Sequence, residues 1–302
     1  MIEQPLPDLD AWVSFYSEAQ LPVLRHTMLE LDVLRENADN VNARVLSNVI
    51  LRDPLMTLRV LAYIEKNRRQ RQTTDITTIE GALMMIGIDP FFGNFQDLPL
   101  VEGQLKSHPK ALLGLLKVIG RARKAAHWAR DWAILRHDLD VDEITVATLL
   151  NDVAETLMWC FAPTLALKTR DMQAADRSLR STAVQTEVFG TSLPDIQMAL
   201  AKAWHLPELL ITLMSQDDIE NPRVRNVALA INLARHSANG WDDAALPDDF
   251  RAIADLLRIN QDTLIRRLGL DRDPATLAKL AENSPSAPDA GASTAMSGGQ
   301  KP

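Results

Sequence analysis

The chain has 302 residues, 46% of them hydrophobic, which is enough to fill one large core or two modest ones. Its formal net charge of −8 argues against an extended duplex-binding surface, because contacts to phosphates require clustered Lys and Arg. The single cysteine, Cys160, excludes an intramolecular disulfide and a cysteine-rich zinc site.

The hydrophobic pattern predicts an all-α chain. Leu and Ala recur at i, i+3 and i+4 spacing, and runs of alternating β-branched residues are missing. The N-terminal residues Met1 to Pro5 are acidic and proline-bearing, unlike a secretory signal. No uninterrupted apolar run reaches the roughly 18 residues of a membrane span. We therefore expect a cytoplasmic protein without a membrane span.

Helix start and stop signals place several helices in chain order. In Asp53-Pro54 and again in Asn221-Pro222, an N-cap oxygen precedes a proline whose missing amide costs nothing at the first helical position. Thr77-Thr78-Ile79-Glu80 fits a capping box, and Gly87 fits a C-terminal stop. These signals predict helix starts near residues 54, 78 and 222.

A further helix is predicted to carry Asn151 and Asp152. The acidic segment Asp140 to Glu143 fits its N-terminal cap, so we expect the two residues to lie on a helix, about 100° apart, rather than in a loop. The apolar run that follows predicts burial of Trp159 and Cys160.

Four sequence blocks carry a family resemblance. They are Leu21-Pro22-Val23-Leu24, followed by Arg25 where a second proline is usual; Asn48 to Leu61, with its Asp53-Pro54 step; Ile79 to Gly87; and Ala203-Trp204-His205-Leu206-Pro207-Glu208, with His205 in place of a glycine. Together they resemble the HDOD family, the HD-related output domains of bacterial signalling proteins. The resemblance extends over about residues 21–239 and implies an all-α, HDOD-like helical fold.

The resemblance also implies a degenerate form of the metal site of catalytic HD proteins. His127 matches the first histidine, Asn151-Asp152 matches the His-Asp dyad, and Asp217-Asp218 falls where a histidine pair is frequent. Leu193 and Arg235 fall at the places of a later histidine and of the last acidic ligand. A side-chain amide is a poor ligand, and a catalytic metal site typically needs three protein ligands. We therefore expect a vestigial site at His127, Asn151, Asp152 and Asp217, with no catalytic residue, metal or cofactor.

Composition changes near Pro109 and Asn239 suggest a division of the chain. We predict an N-terminal helical lobe at residues 1–110, a degenerate HD-like helical lobe at 111–240 and a C-terminal helical extension at 241–282. Residues 283–302 lack apolar anchors and are predicted to be a disordered tail.

Three other patterns favour ordinary structural roles. The basic segment Lys66 to Arg71 is expected to be a solvated loop rather than a site for phosphate or an acidic partner. The indoles of Trp128, Trp132, Trp159 and Trp204 are expected to pack in a core rather than to form a nucleotide-stacking cage. His127 and Asp131 are expected to form a hydrogen-bonded pair rather than a pair of metal ligands.

These observations favour a non-catalytic signal-transduction module that contacts protein partners in a bacterial signalling pathway and binds no nucleic acid. Two alternatives stay open. One is a divergent metal-dependent HD phosphohydrolase that uses His127, Asp152 and Asp217. The other is a sensor that keeps the old cavity for a nucleotide or another small molecule.

Overall fold

The structure is a computed structural model that describes residues 1–67, 75–176, 179–215 and 217–272. Within those ranges the fold is all-α, as predicted. The described ranges contain no strand, and their one isolated β-bridge joins Val23 to Leu100. Most of the basic segment 66–71, the end of the predicted C-terminal extension and the whole of the predicted tail lie outside the described residues.

Seven α-helices precede residue 108 in the described ranges, besides the short 3-10 helix Ala38–Asn40. They are α1 (Leu9–Glu18), α2 (Arg25–Arg35), α3 (Ala43–Ile50), α4 (Pro54–Lys66), α5 (Ile79–Ile86), α6 (Ile88–Asn94) and α7 (Val101–Gln104). Ten more follow in the rest of the described chain. They are α8 (Pro109–Leu135), α9 (Val141–Leu150), α10 (Val153–Phe161), α11 (Pro163–Ala175), α12 (Ser181–Phe189), α13 (Leu193–Ala203), α14 (Glu208–Ser215), α15 (Pro222–His236), α16 (Leu246–Leu257) and α17 (Gln261–Arg267).

The two predicted Asx-Pro helix starts are confirmed. Asn221 caps α15 through the N–H of Arg223, and Asp53 caps α4 through the N–H groups of Leu55 and Met56. The Asp53 carboxylate is fully buried and also accepts hydrogen bonds from the Leu24 N–H at 2.8 Å and the Thr27 hydroxyl at 2.9 Å. It therefore ties the start of α2 to the start of α4. Burial raises the pKa of Asp53, while these hydrogen bonds act in the opposite direction.

The predicted capping box before α5 is wrong in its register. The N-cap is Thr78, whose hydroxyl oxygen accepts from the Gly81 N–H at 3.1 Å, so Gly81 rather than Glu80 is the third helical residue. Thr77 instead donates its hydroxyl to the Glu143 carboxylate at 2.9 Å, which links the start of α5 to α9. Gly87 ends α5 as predicted, with a φ of +85° that favours glycine.

Helix α8 is the longest of the described helices, with 27 residues, and packs against α9, α10, α11 and α15. Its buried face is built mostly of small side chains, which lets neighbouring helices approach closely. These small residues are Ala111, Gly114, Ala122, Ala125, Ala126, Ala129 and Ala133. Helix α8 therefore lies close to α10, α11 and α15 and forms one wall of the space between them.

One large hydrophobic core extends from Trp12 in α1 to Leu270, just after α17. Helix α1 packs on α13, and the Trp12 indole N–H donates to the Phe189 carbonyl oxygen at 3.1 Å. The predicted boundary at residue 110 falls beside the first residue of α8, Pro109. Buried residues from both sides of this boundary belong to the same core. The division into lobes therefore remains a prediction.

The segment Val141–Phe161, which contains α9 and α10, is apolar enough by length and composition to cross a membrane. Within it, 78% of the most apolar window is buried inside the protein, as in the core helices of soluble proteins. Trp159 and Cys160 are buried here, as predicted. Burial also raises the pKa of the Cys160 thiol, so the side chain stays protonated and behaves as a small apolar group.

Candidate functional site

Asn151 and Asp152 lie at the junction of α9 and α10, and the prediction that they lie within a helix is wrong. Asn151 follows the last residue of α9, and Asp152 is the N-cap of α10 with φ −98° and ψ 19°, outside helical values. The predicted cap of α9 also differs. Asp140 occupies the N-cap position, but its carboxylate pairs with Arg223 rather than with a helix N–H.

The side chain of Gln197 in α13 is inserted into this junction. Its Oε1 accepts a hydrogen bond from the Ala154 N–H at 2.8 Å, and its Nε2 donates to the Leu150 carbonyl oxygen at 3.0 Å. In an uninterrupted helix those two backbone groups would bond to each other, since they are four residues apart. The buried amide of Gln197 therefore satisfies the backbone groups that the break leaves open.

Arg121 in α8 holds two carboxylates beside the junction. Its Nε and Nη2 donate to Asp152 Oδ2 at 3.1 and 2.9 Å, and its Nη2 also donates to Glu155 Oε2 at 2.6 Å. All three side chains are largely buried, at 21%, 19% and 31% exposure. Burial alone would lower the pKa of Arg121, but the charges of Glu155 and Asp152 outweigh burial and raise it. The guanidinium is therefore a permanent cation between these two acids.

The junction opens onto a cavity of about 800 Å³. Its walls come from α8, α10, α11, α12, α13, α14 and α15, together with the turn at residues 237–239. That volume lies in the range of small-molecule sites, which is roughly 300–1,000 Å³.

Among the described residues, five cationic side chains and two carboxylates line the cavity, an excess of three positive charges in a chain of net charge −8. Lys117, Arg121 and Lys124 come from α8, Arg170 from α11 and Arg235 from α15. The acids are the two that Arg121 already binds. Of these cations, the family resemblance points only to Arg235. The i, i+4 and i+7 spacing of the three α8 residues, which puts them on one helix face, was the available signal.

Lys124 lies at one side of this cavity, against two indoles. Its Nζ is 4.7 Å from the ring centroid of Trp128 and 5.0 Å from that of Trp241, within the range of a cation–π contact. Partial burial lowers the pKa of Lys124. Trp132 and Trp159 are buried in the core, as predicted. Trp128 and Trp204 are only partly buried and pack against the core, and Trp128 also contacts Trp241.

The structure brings only some of the predicted site residues together. Asn151 and Asp152 line the cavity, and so do Leu193 and Arg235. His127 and Asp217 are exposed and are outside its lining. The Asp131 carboxylate lies 3.9 Å from the guanidinium of Arg267, with no bond to His127 among the described residues. The residue of α8 that faces Asp152 is thus Arg121, not His127.

These side chains do not fit a divalent metal ion. The described residues contain no group of three or more His, Cys, Asp or Glu placed to hold one. Asp152 and Glu155 already bind a guanidinium, whose charge would repel a second cation. Asn151 adds only an amide. No reaction step through a metal follows from this set of ligands.

Comparisons with known proteins agree with this architecture. The MmoQ response regulator from Methylococcus capsulatus is similar in structure, with a TM-score of 0.61 and 19% identity over 82% of this chain and 98% of that one. A virulence factor from Campylobacter jejuni is similar at a TM-score of 0.60 and 18% identity, over 93% of this chain and 98% of that one. No curated protein matches. The HDOD domain family model matches residues 21–219, and the chain therefore belongs to the HDOD family.

Proposed function

We propose that this HDOD protein is a non-catalytic regulatory module that works in the bacterial cytoplasm through contacts with protein partners of a signalling pathway. Membership of a family of signalling output domains supports the general role. The absence of catalysis rests on one observation, which is the ion-pair cluster of Arg121 with Asp152 and Glu155.

The cluster supports the proposal because its cation binds Asp152, the residue that the family resemblance matches to the metal-binding aspartate of catalytic HD proteins. A metal-bound water is an effective nucleophile because the ion lowers the pKa of the water and orients it. A guanidinium cannot do this, since it has no coordination position to offer and stays protonated. Here it instead pairs with both acids and fixes α8 to the start of α10. In this proposal the cluster of Arg121, Asp152 and Glu155 therefore has a structural role and no catalytic one.

Exposed apolar side chains support the contact role. Leu29 and Val33 lie one turn apart on α2 and are 56% and 61% exposed, and Met84 on α5 is 70% exposed. Leu113 and Leu116 on α8 are 58% and 42% exposed. Leu29 with Val33, and Leu113 with Leu116, are pairs one turn apart on the same helix, and such exposed apolar pairs are available for contact with another protein.

A turnover assay tests the proposal. The purified full chain is incubated with 4-nitrophenyl phosphate, bis(4-nitrophenyl) phosphate and cyclic dinucleotides, with Mn²⁺, Fe²⁺ or Zn²⁺ added. We expect product formation at the rate of the matched Asp152→Ala variant and of protein-free buffer. Turnover well above both controls, lost in Asp152→Ala or in His127→Ala, would establish the divergent phosphohydrolase instead.

A further inference from the structure

We infer that the cavity beside Arg121 is a binding site for a phosphate-bearing small molecule of about nucleotide size, which serves as an input signal for the module. The inference rests on the proposed function, because it assigns the cavity to binding without turnover. Its basis is the combination of volume, charge and lining chemistry within one cavity that is open to solvent.

The charge of the cavity selects an anion. Arg121 pairs with both carboxylates of the described lining. The four further cations, which are Lys117, Lys124, Arg170 and Arg235, leave that lining with a net positive charge. Clefts lined by one sign of charge concentrate oppositely charged ligands, because their walls focus the field. Because the chain as a whole has a net charge of −8, this excess of positive charge is a local property of the cavity and not of the whole surface.

The contacts that these cations make within the protein are weak enough for a bound ligand to replace them. Arg170 pairs with Asp171, whose side chain is 66% exposed and lies outside the cavity lining. Arg235 donates to the neutral amide oxygen of Asn232 at 2.7 Å. Lys117 has no ion pair in the part of the chain that the structure describes. An incoming phosphate can therefore bind several donors without breaking a buried ion pair.

The rest of the lining suits an organic group attached to the phosphate. Met158, Met198 and Met214 contribute polarizable side chains that adapt to a ring or an alkyl group. The amide of Asn151 has no hydrogen-bond partner among the described residues, so it is available to a polar edge of the ligand. An inorganic phosphate alone would leave most of the roughly 800 Å³ unfilled. A nucleotide has phosphates that suit the cationic side chains and a base that suits the methionine side chains.

Calorimetric titration and thermal melting of the full chain test this, with ATP, GTP and pyrophosphate as anionic probes and adenosine as the uncharged control. We expect saturable binding of at least one of the two nucleotides, a rise in melting temperature with its concentration, and at least tenfold weaker binding of adenosine. The double variant Lys117→Ala/Arg235→Ala should weaken nucleotide binding at least tenfold. Arg123→Ala, which removes an exposed cation of α8 outside the lining, should change binding less than twofold.

The outcomes separate this inference from the proposed function. No binding of any anionic probe at millimolar concentration overturns the inference and leaves the non-catalytic module intact. Equal weakening by Arg123→Ala and by the double variant also overturns it, since binding would then be a general surface effect. Saturable binding with hydrolysis of the probe supports the site but overturns the proposed function. Melting of each variant without ligand shows that it is folded.

Discussion

Gly114 of α8 lies directly beneath the indole ring of Trp159 in α10. A β-carbon added at Gly114 would come within 2.6 Å of two ring carbons of that indole, closer than real contacts allow. Both residues line the cavity, and Trp159 is 5% exposed. The missing side chain of Gly114 therefore determines how closely α8 and α10 pack at the edge of the site.

Two glycines of α8 should respond oppositely to the same substitution. We expect Gly114→Ala to lower the free energy of unfolding by about 1–3 kcal/mol, because the methyl group overpacks the Trp159 ring. Gly120→Ala meets no atom within 4 Å and should instead gain about 0.5–1 kcal/mol from helix propensity. Chemical denaturation of both variants makes the comparison.

The double-mutant cycle with Trp159 identifies the cause. Trp159→Ala alone should cost about 3–5 kcal/mol, the range for emptying a large buried aromatic site. In that background Gly114→Ala should no longer be harmful, because the ring that it meets is gone. A cost for Gly114→Ala that is equal in both backgrounds would show that its contact with Trp159 is unimportant.

Removing the inserted amide of Gln197 should destabilise the α9–α10 junction. Gln197→Met keeps the size of the side chain but leaves the Leu150 carbonyl and the Ala154 N–H unpaired, and each such buried group costs about 1–3 kcal/mol. We expect a loss of about 2–4 kcal/mol in urea denaturation. The control is Gln173→Met, whose amide donates, within the described ranges, to an exposed Ser181 hydroxyl, and it should cost less than about 0.5 kcal/mol. Equal effects would mean that the junction keeps its shape without Gln197.

The histidine of the Ala203-Trp204-His205 segment is in a backbone conformation that suits glycine. His205 has a φ of +52°, in the left-handed region. That conformation costs roughly 1–2 kcal/mol for a residue with a β-carbon, so it explains why glycine is usual at this place in the family. We expect His205→Gly to stabilise the protein by about 0.5–1 kcal/mol after the larger chain entropy of glycine is subtracted.

A matched control uses the same new residue in a helix. Ala199→Gly in the middle of α13 should cost about 1 kcal/mol, since a helix interior disfavours glycine relative to alanine. Thermal melting of the two variants should therefore shift in opposite directions. A lower melting temperature for His205→Gly would show that contacts of the imidazole outweigh the backbone conformation.

Local signals in the sequence predicted local structure well. The Asp53 and Asn221 caps, the stop at Gly87 and the burial of Trp159 follow from residues within a few positions of each other. The α9–α10 break could not be predicted in this way. It depends on Gln197, which reaches the junction from 47 residues beyond Leu150 in the sequence.

The site was predicted only in part because a family match does not say which face of a helix a residue occupies. Arg121 and His127 are six positions apart on α8, so their side chains point about 120° apart around the axis. Arg121 reaches the Asp152 carboxylate, and His127 is exposed to solvent. Ion pairing between α8 and α10 depends on how the helices pack, which local periodicity does not specify.

Metal content is the most direct test of the claim that Arg121 occupies the charged centre of this site. The full chain is incubated with excess Mn²⁺, Fe²⁺ and Zn²⁺ in separate samples, desalted and analysed for each element, beside the Asp152→Ala variant. We expect far less than one equivalent of any metal, equal in both proteins, because Asp152 and Glu155 are already paired with the guanidinium. Close to one equivalent in the wild type that is lost in Asp152→Ala would contradict the account.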